Sequence, residues 1–279
     1  MDLSEVCARL DDRLRTDAYA DLDASANGLQ VGPARPDGTA RADETAQPGE
    51  ADRSSNAAGR EVEHVVFAVD AAVETAERAA AAGADLLVTH HGLVWGGLDR
   101  LTGRTHDRLA PLFEHDLALY VSHLPLDGHP ELGNAAGLCE LLGLEDRAPF
   151  GELGPEFVGR RGRLPSGLGV GELRALLEAN LDHAGRGVQV LDSGPERVEE
   201  IAVVTGSGAD WLDEAAAAGA DAFVTGEGKG KLYHEAGESG LHVLLAGHYA
   251  TETFGVRALE AVIAGWGLET TFLDVPTGL

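Results

Sequence analysis

Lysine is almost absent from this chain. Lys229 and Lys231 are its only lysines, and 21 basic residues face 47 acidic ones, a formal net charge of −26. Such a surface repels phosphate backbones, which excludes nucleic acid as a partner through a basic patch. Cysteine is scarce too: Cys7 and Cys139 are too few for a framework of bridges and point to a reducing cytoplasm. Long apolar runs are missing. Although 44% of the residues are apolar, no run approaches the roughly 18 that a membrane span needs. The opening segment, MDLSEVCARLDDRL, has the pattern of an acidic amphipathic helix and lacks the zones of a signal peptide.

The acidic residues are spread along the chain, not gathered in a tail. That distribution reads as halophilic, an adaptation to concentrated salt, where self-repulsion is screened. Residues 33–61 hold almost nothing able to join a core, and their composition predicts a disordered acidic insertion.

The rest of the sequence repeats itself. HVVFAVD (64–70), an Ala-rich helical stretch and LLVTHH form the first copy; EIAVVTGSG (200–208), ADWLDEAAAAGAD and AFVTGEG form the second. Ala82-Gly83-Ala84-Asp85 aligns with Ala218-Gly219-Ala220-Asp221, and Thr89 with Thr225. Each copy reads as strand, helix, Gly turn and strand, a βαβ unit. LALYVSH (117–123) and LHVLLAGH (241–248) extend the likeness as strands ending in histidine, each followed by a helix, over 131–143 and 251–267. Residues 150–198 add further sheet and helix, including a helix in 169–185. The fold class is α/β: two related lobes arising by internal duplication, 1–145 and 146–279, with approximate boundaries that leave room for the lobes to intertwine, and a metal site in the cleft between them.

Chemistry-bearing residues fall at strand ends, where open α/β sheets collect ligands. His90 and His91 close the apolar strand GADLLVT, and neighbouring imidazoles that diverge suit two adjacent metal ions better than one. Asp127 follows the next strand in SHLPLDGHPE; alone it would be a turn aspartate, but its place at the same sheet edge makes it a candidate ligand. His123 beside it suits a supporting role near the site, and His129 is more exposed. His248 and Glu252 in GHYATE share one face if a helix starts at or just before Ala250, with helix capping as the alternative for Glu252. Glu227 and His234 flank a Gly/Lys loop that lacks P-loop spacing and is either a substrate contact or a cleft loop. His64, His106, His115, His183 and His242 read as ordinary residues. Imidazole and carboxylate without thiolate suit two divalent ions of Zn, Fe, Mn, Co or Ni, bridged by a carboxylate such as Glu252.

Together NGLQVG (27–32), VTHHGLVWGG (88–97), HLPLDGHPELGN (123–134), TGEG (225–228) and AGHYATETFGV (246–256) resemble the family of GTP cyclohydrolase 1 type 2 homologues. The resemblance implies a dinuclear centre with His91 and Asp127 on one ion, His90 and His248 on the other, and Glu252 bridging. It also implies a homohexameric toroid. GTP cyclohydrolase activity has been ascribed to some relatives, but no purine-reading constellation stands in this sequence. The expected function is a cytoplasmic metal-dependent hydrolase of a small phosphate- or nucleotide-bearing molecule, with His123 or His234 as proton shuttle. The alternative is a non-catalytic metal-binding or regulatory adaptor, which a metal pair fully closed by protein ligands would favour.

Overall fold

The computed structural model describes residues 1–33 and 59–279. The expected insertion at 33–61 therefore lies, for residues 34–58, outside the described residues. Its far flank pairs with the N-terminus: Leu3 N–H donates to Arg60 O at 2.8 Å, and Glu61 bridges to Asp2.

The opening segment is a helix, α1 (Leu3–Leu14), capped by Asp2 through the N–H of Ser4 at 2.8 Å. Its buried residues, Leu3, Val6, Cys7, Leu10 and Leu14, recur every three or four positions, the stripe that lays a helix on a sheet. The first lobe continues with β1 (Gly28–Val31), β2 (His64–Asp70), α2 (Val73–Ala81), β3 (Leu86–His91), α3 (Arg104–Glu114), β4 (Ala118–Val121), the short α4 (Leu124–Gly128) and α5 (Asn134–Leu141). A long hairpin, β5 (Glu145–Leu153) and β6 (Glu156–Leu168), leads to α6 (Val170–Asn180), β7 (Gln189–Leu191) and β8 (Val198–Val203). Then come α7 (Leu212–Ala217), β9 (Ala222–Thr225), α8 (Leu232–Ser239), β10 (His242–Leu245), the single turn α9 (His248–Thr251), α10 (Thr253–Ala264) and β11 (Glu269–Phe272). Among the described residues no helix is long and apolar enough to cross a membrane.

The strands form two sheets, ordered β1-β4-β3-β2-β11 and β5-β6-β8-β9-β10-β7. In each, three central strands run parallel and a short strand pairs antiparallel at one side, β1 on β4 and β7 on β10. The central strands are apolar on both faces, as sheets covered on both sides require. Val65 and Phe67 of β2 face one core while Val66 and Ala68 face another, and β8 divides Ile201 and Val203 from Ala202 in the same way.

The internal repeat survives in individual hydrogen bonds. The Asp85 carboxylate accepts from the N–H groups of Glu63 and His64 at 2.8 and 3.0 Å; Asp221 accepts from Glu199 and Glu200 at 2.8 and 2.9 Å. Gly83 and Gly219 end their helices in the left-handed region, at φ 74° and 75°.

The two lobes also trade elements. α5 follows the first lobe's strands but packs Leu138 and Cys139 against Ile201 and Val203 of the second sheet. α10 follows the second lobe's strands but packs Val256, Leu259 and Ile263 against Val65 and Phe67 of the first. β11 then adds to β2 in parallel. The chain thus crosses between sheets on both sides of the expected division at 145/146.

Because each carboxylate satisfies two backbone donors, Asp85→Ala and Asp221→Ala should each lower the unfolding free energy by about 1–3 kcal/mol. Denaturant unfolding at fixed salt reads this, and unchanged midpoints for both variants would contradict the matching roles of the two aspartates.

Candidate metal centre

The carboxyl edge of the first sheet carries the ends of β2, β3 and β4. Parallel pairing sets Asp70, the last residue of β2, beside His91, the last of β3. Beyond β4 the chain turns at His123 into α4, which carries the buried Asp127. From the second lobe, β10 passes through Gly247, at φ 89°, into α9, which begins at His248. Glu252 lies at the break between α9 and α10, so the helix starts two residues before Ala250 and pauses at the carboxylate. His248 Nε2 stands 3.1 Å from Glu252 Oε2.

Glu252 is the meeting point. Its Oε2 also lies 3.2 Å from His91 Nε2, and its Oε1 lies 3.5 Å from His90 Nε2. His90 Nε2 is 3.6 Å from Asp127 Oδ1. These atoms are close but not aligned as hydrogen bonds: His90 Nε2 and Glu252 Oε2 are buried with no hydrogen-bond partner among the described residues. The outer ring nitrogens, by contrast, are tied down. His90 Nδ1 contacts Ser122 O at 2.9 Å, His91 Nδ1 contacts Asp70 Oδ1 at 2.8 Å and His123 Nδ1 contacts Asp23 Oδ1 at 2.9 Å. Carbonyl and carboxylate oxygens can only accept, so each Nδ1 carries the proton. The Nε2 atoms of His90 and His91 then face inward. Acceptor-anchored imidazoles around converging oxygens are the arrangement of metal ligands, and the donor set fits a borderline divalent ion.

Charge reinforces the convergence. Burial opposes protonation of His90, but Asp127 and Glu252 outweigh it and raise its pKa to about 10. His248 rises to about 9 against its own burial, through Glu252 and Glu227. Burial likewise opposes the charge on Glu252, yet His90, His248 and His91 hold it well below the carboxylate range.

All five expected ligands are thus brought together: His90, His91, Asp127, His248 and Glu252. Overlapping groups of donor atoms converge there: His90 with Asp127 and Glu252, His91 with His248 and Glu252, and His90 and His91 with His123. β3 lies between β4 and β2, so His90 leans toward β4 and Asp127 while His91 leans toward β2 and Asp70. His123 joins the cluster, its ring centroid 5.1 Å from that of His90 and 5.7 Å from that of His91. His234 does not. It is exposed on α8, whose buried face is Leu232 and Ala236, and its ring meets Tyr233. Glu227 does reach the site, 3.3 Å from His248 Nδ1. His129 instead closes a local turn, its Nδ1 accepting from the N–H groups of Glu131 and Leu132.

Several partners carry no individual sequence signal. Asn134 donates through Nδ2 to Asp127 Oδ1 at 2.8 Å, and Thr205 donates to the same oxygen at 3.2 Å. Asp23 supports His123 and also accepts from Asn27, inside the stretch that leads into NGLQVG. Asp70 was legible only as a charged end to an apolar strand. The cluster opens into a cavity of about 560 Å³ bounded by His91, His123, His248 and Glu252, with Trp95 and Trp211 among its walls.

The profile of the Duf34/NIF3 (NGG1p interacting factor 3) family matches residues 54–277. A protein named GTP cyclohydrolase 1 type 2 homolog from Halobacterium salinarum is 55% identical over 279 residues, covering all of both chains. Its namesake from Archaeoglobus fulgidus is 39% identical over 280 residues, again with full coverage of both. A crystal structure from Thermus thermophilus superimposes with a TM-score of 0.82 at 37% identity, covering all of both chains.

The raised imidazoles give the metal-free protein a defined pH response. Relative to an ordinary 6.5, His90 at about 10 and His248 at about 9 contribute stability that is complete below pH 6.5 and lost as pH rises through those values. Thermal unfolding of chelator-treated protein should therefore show stability declining from pH 6.5 to 10, with a shallower decline in His248→Gln. A flat profile for both would contradict the imidazole–carboxylate cluster.

Proposed function

The chain belongs to the Duf34/NIF3 family, and from that membership and its site we propose that it is a metal-dependent hydrolase using a pair of divalent ions on a small phosphate- or nucleotide-bearing molecule. The observation that carries the reading is the convergence of three imidazoles and Asp127 on buried Glu252, with outer nitrogens of His90 and His91 already anchored. In this reading His90, His91, Asp127, His248 and Glu252 would together hold the two ions. Zn, Fe, Mn, Co and Ni suit the donors. When bound, such a pair supplies an activated water and charge stabilisation for a displaced oxygen.

The protein's own groups do the rest. Asp70 keeps the His91 ring turned inward, as Asn134 keeps Asp127. His123, oriented by Asp23, borders the cavity and is placed to pass a proton to a leaving group there. Trp95 stands edge-on to His123, with ring centroids 4.9 Å apart. The open cavity against His91, His248 and Glu252 favours an enzyme over a closed metal-binding adaptor. The GTP chemistry in the relatives' name is not carried over, since no purine-reading constellation stands in the sequence.

The same reading places the protein in the cytoplasm as a homohexamer adapted to high salt. The dispersed charge of −26 and the 55% identity to a Halobacterium salinarum relative support the salt adaptation; the hexamer rests on the family resemblance.

Metal-loaded protein should hydrolyse at least one member of a panel of phosphomonoesters, phosphodiesters and nucleotides. His123→Gln should lower kcat by about 10²–10⁴ with metal content retained. Asp70→Asn should instead weaken metal affinity by about 10–100-fold. Full metal loading with no turnover across the panel would bring the adaptor forward.

A further inference from the structure

The duplication that sets the metal ligands at the edge of the first sheet has a counterpart at the edge of the second. Gly226 follows Thr225 as His90 follows Thr89. Gly247 follows Ala246, whose N–H donates to Thr225 O at 2.8 Å, as His123 follows Ser122, whose N–H donates to Thr89 O at 3.0 Å. β7 flanks β10 as β1 flanks β4. At this second strand-end position the imidazoles are replaced by bare backbone.

A groove of about 640 Å³ lies there, with Gly226, Gly228 and Gly247 on its walls. Two arginines reach it, Arg174 from α6 and Arg186 from the loop before β7. Glu178 occupies Nε and Nη2 of Arg174, each at 3.0 Å, which leaves the Nη1 donors. Arg186 extends over Gly278 and makes no ion pair among the described residues. The acidic member of the wall, Glu227, turns its carboxylate toward Ser207 and His248 instead. Lys229 and Lys231 of the Gly/Lys loop are engaged outside the groove, both on Asp210. In a chain with 47 acidic residues, two guanidinium groups border this glycine-lined strand edge, and only Arg174 of the two is ion-paired among the described residues, with Glu178.

Glu227 and Leu279 line both this groove and the metal cavity, so the two adjoin. We propose that the groove is a phosphate subsite: Arg174 and Arg186 hold the phosphate of a ligand whose reacting end lies in the metal cavity. Guanidinium suits this task because its planar fork matches phosphate oxygens. The duplicated strand-end position thus serves cations in one lobe and an anion in the other. The link to a reacting end rests on the hydrolase reading, whereas phosphate affinity at the arginines needs no bound metal.

The test is equilibrium dialysis of radiolabelled inorganic phosphate against full-length, chelator-treated protein at constant KCl. Wild type should bind one phosphate per chain saturably. Arg174→Gln and Arg186→Gln should each weaken binding by about tenfold, the worth of one charge-assisted hydrogen bond, while Arg197→Gln, on the surface beside Glu199, should leave it unchanged. Both groove arginines are exposed, so circular dichroism should report an intact fold for every variant. Absence of saturable binding, or binding that survives the double substitution, would overturn the subsite. Chelated protein has no bound ions, so failure of the hydrolase reading in a substrate screen would leave this result standing, and the reverse also holds.

Discussion

The crossing of α5 and α10 is the constraint on which the site depends. Each helix leaves the lobe whose strands precede it and packs on the opposite sheet. They pass close enough that a Cβ on Gly137 would meet Phe254 at 2.7 Å, and one on Gly255 would meet Asn134 Oδ1 at 2.8 Å. At the crossing Asn134 Oδ1 accepts from Gly255 N–H at 2.7 Å while its Nδ2 donates to Asp127 at 2.8 Å. One buried amide therefore ties Asp127 of the first lobe to the start of the helix that follows Glu252 of the second. Functional geometry must hold to within about 0.5 Å, and ligands drawn from two lobes meet that demand only if the lobes cannot slide.

The same interface explains how a carboxylate comes to be buried at all. Glu252 is 3% exposed, an arrangement that costs several kcal/mol for an isolated charge. Three imidazoles around it offset that cost, and their own outer nitrogens are held by Ser122, Asp70 and Glu227. The electrostatic well that raises the affinity of these imidazoles for protons also has a donor set that could hold a metal ion. The chain concentrates this well in a cleft while dispersing the rest of its negative charge over the surface, where salt screens it.

Much of this was legible in the sequence because it lies in local pattern. LLVTHH shows a buried strand ending in two adjacent histidines, and the recurring Ala-Gly-Ala-Asp betrays the duplication. What was not legible depends on register and on the exchange of helices. Asp70 matters because β2 and β3 run in parallel register, and Asn134 matters because α5 crosses lobes. That His90 leans on Ser122 after β4 while His91 leans on Asp70 of β2 follows from the strand order, which no spacing reveals. His234 misled for a related reason: it is near Glu227 in sequence, but the apolar spacing of Leu232 and Ala236 turns it outward. β5 hides behind Pro149 and Gly151, poor strand residues that pairing with β6 holds in place.

The central claim is that Glu252 joins ligands from both lobes into one centre for two ions. Metal equivalents per chain, measured by elemental analysis of protein kept in high salt without chelator, test it most directly. The account predicts two equivalents in wild type and a clear loss in Glu252→Ala with the fold retained. At most one equivalent, unchanged by the substitution, would contradict it.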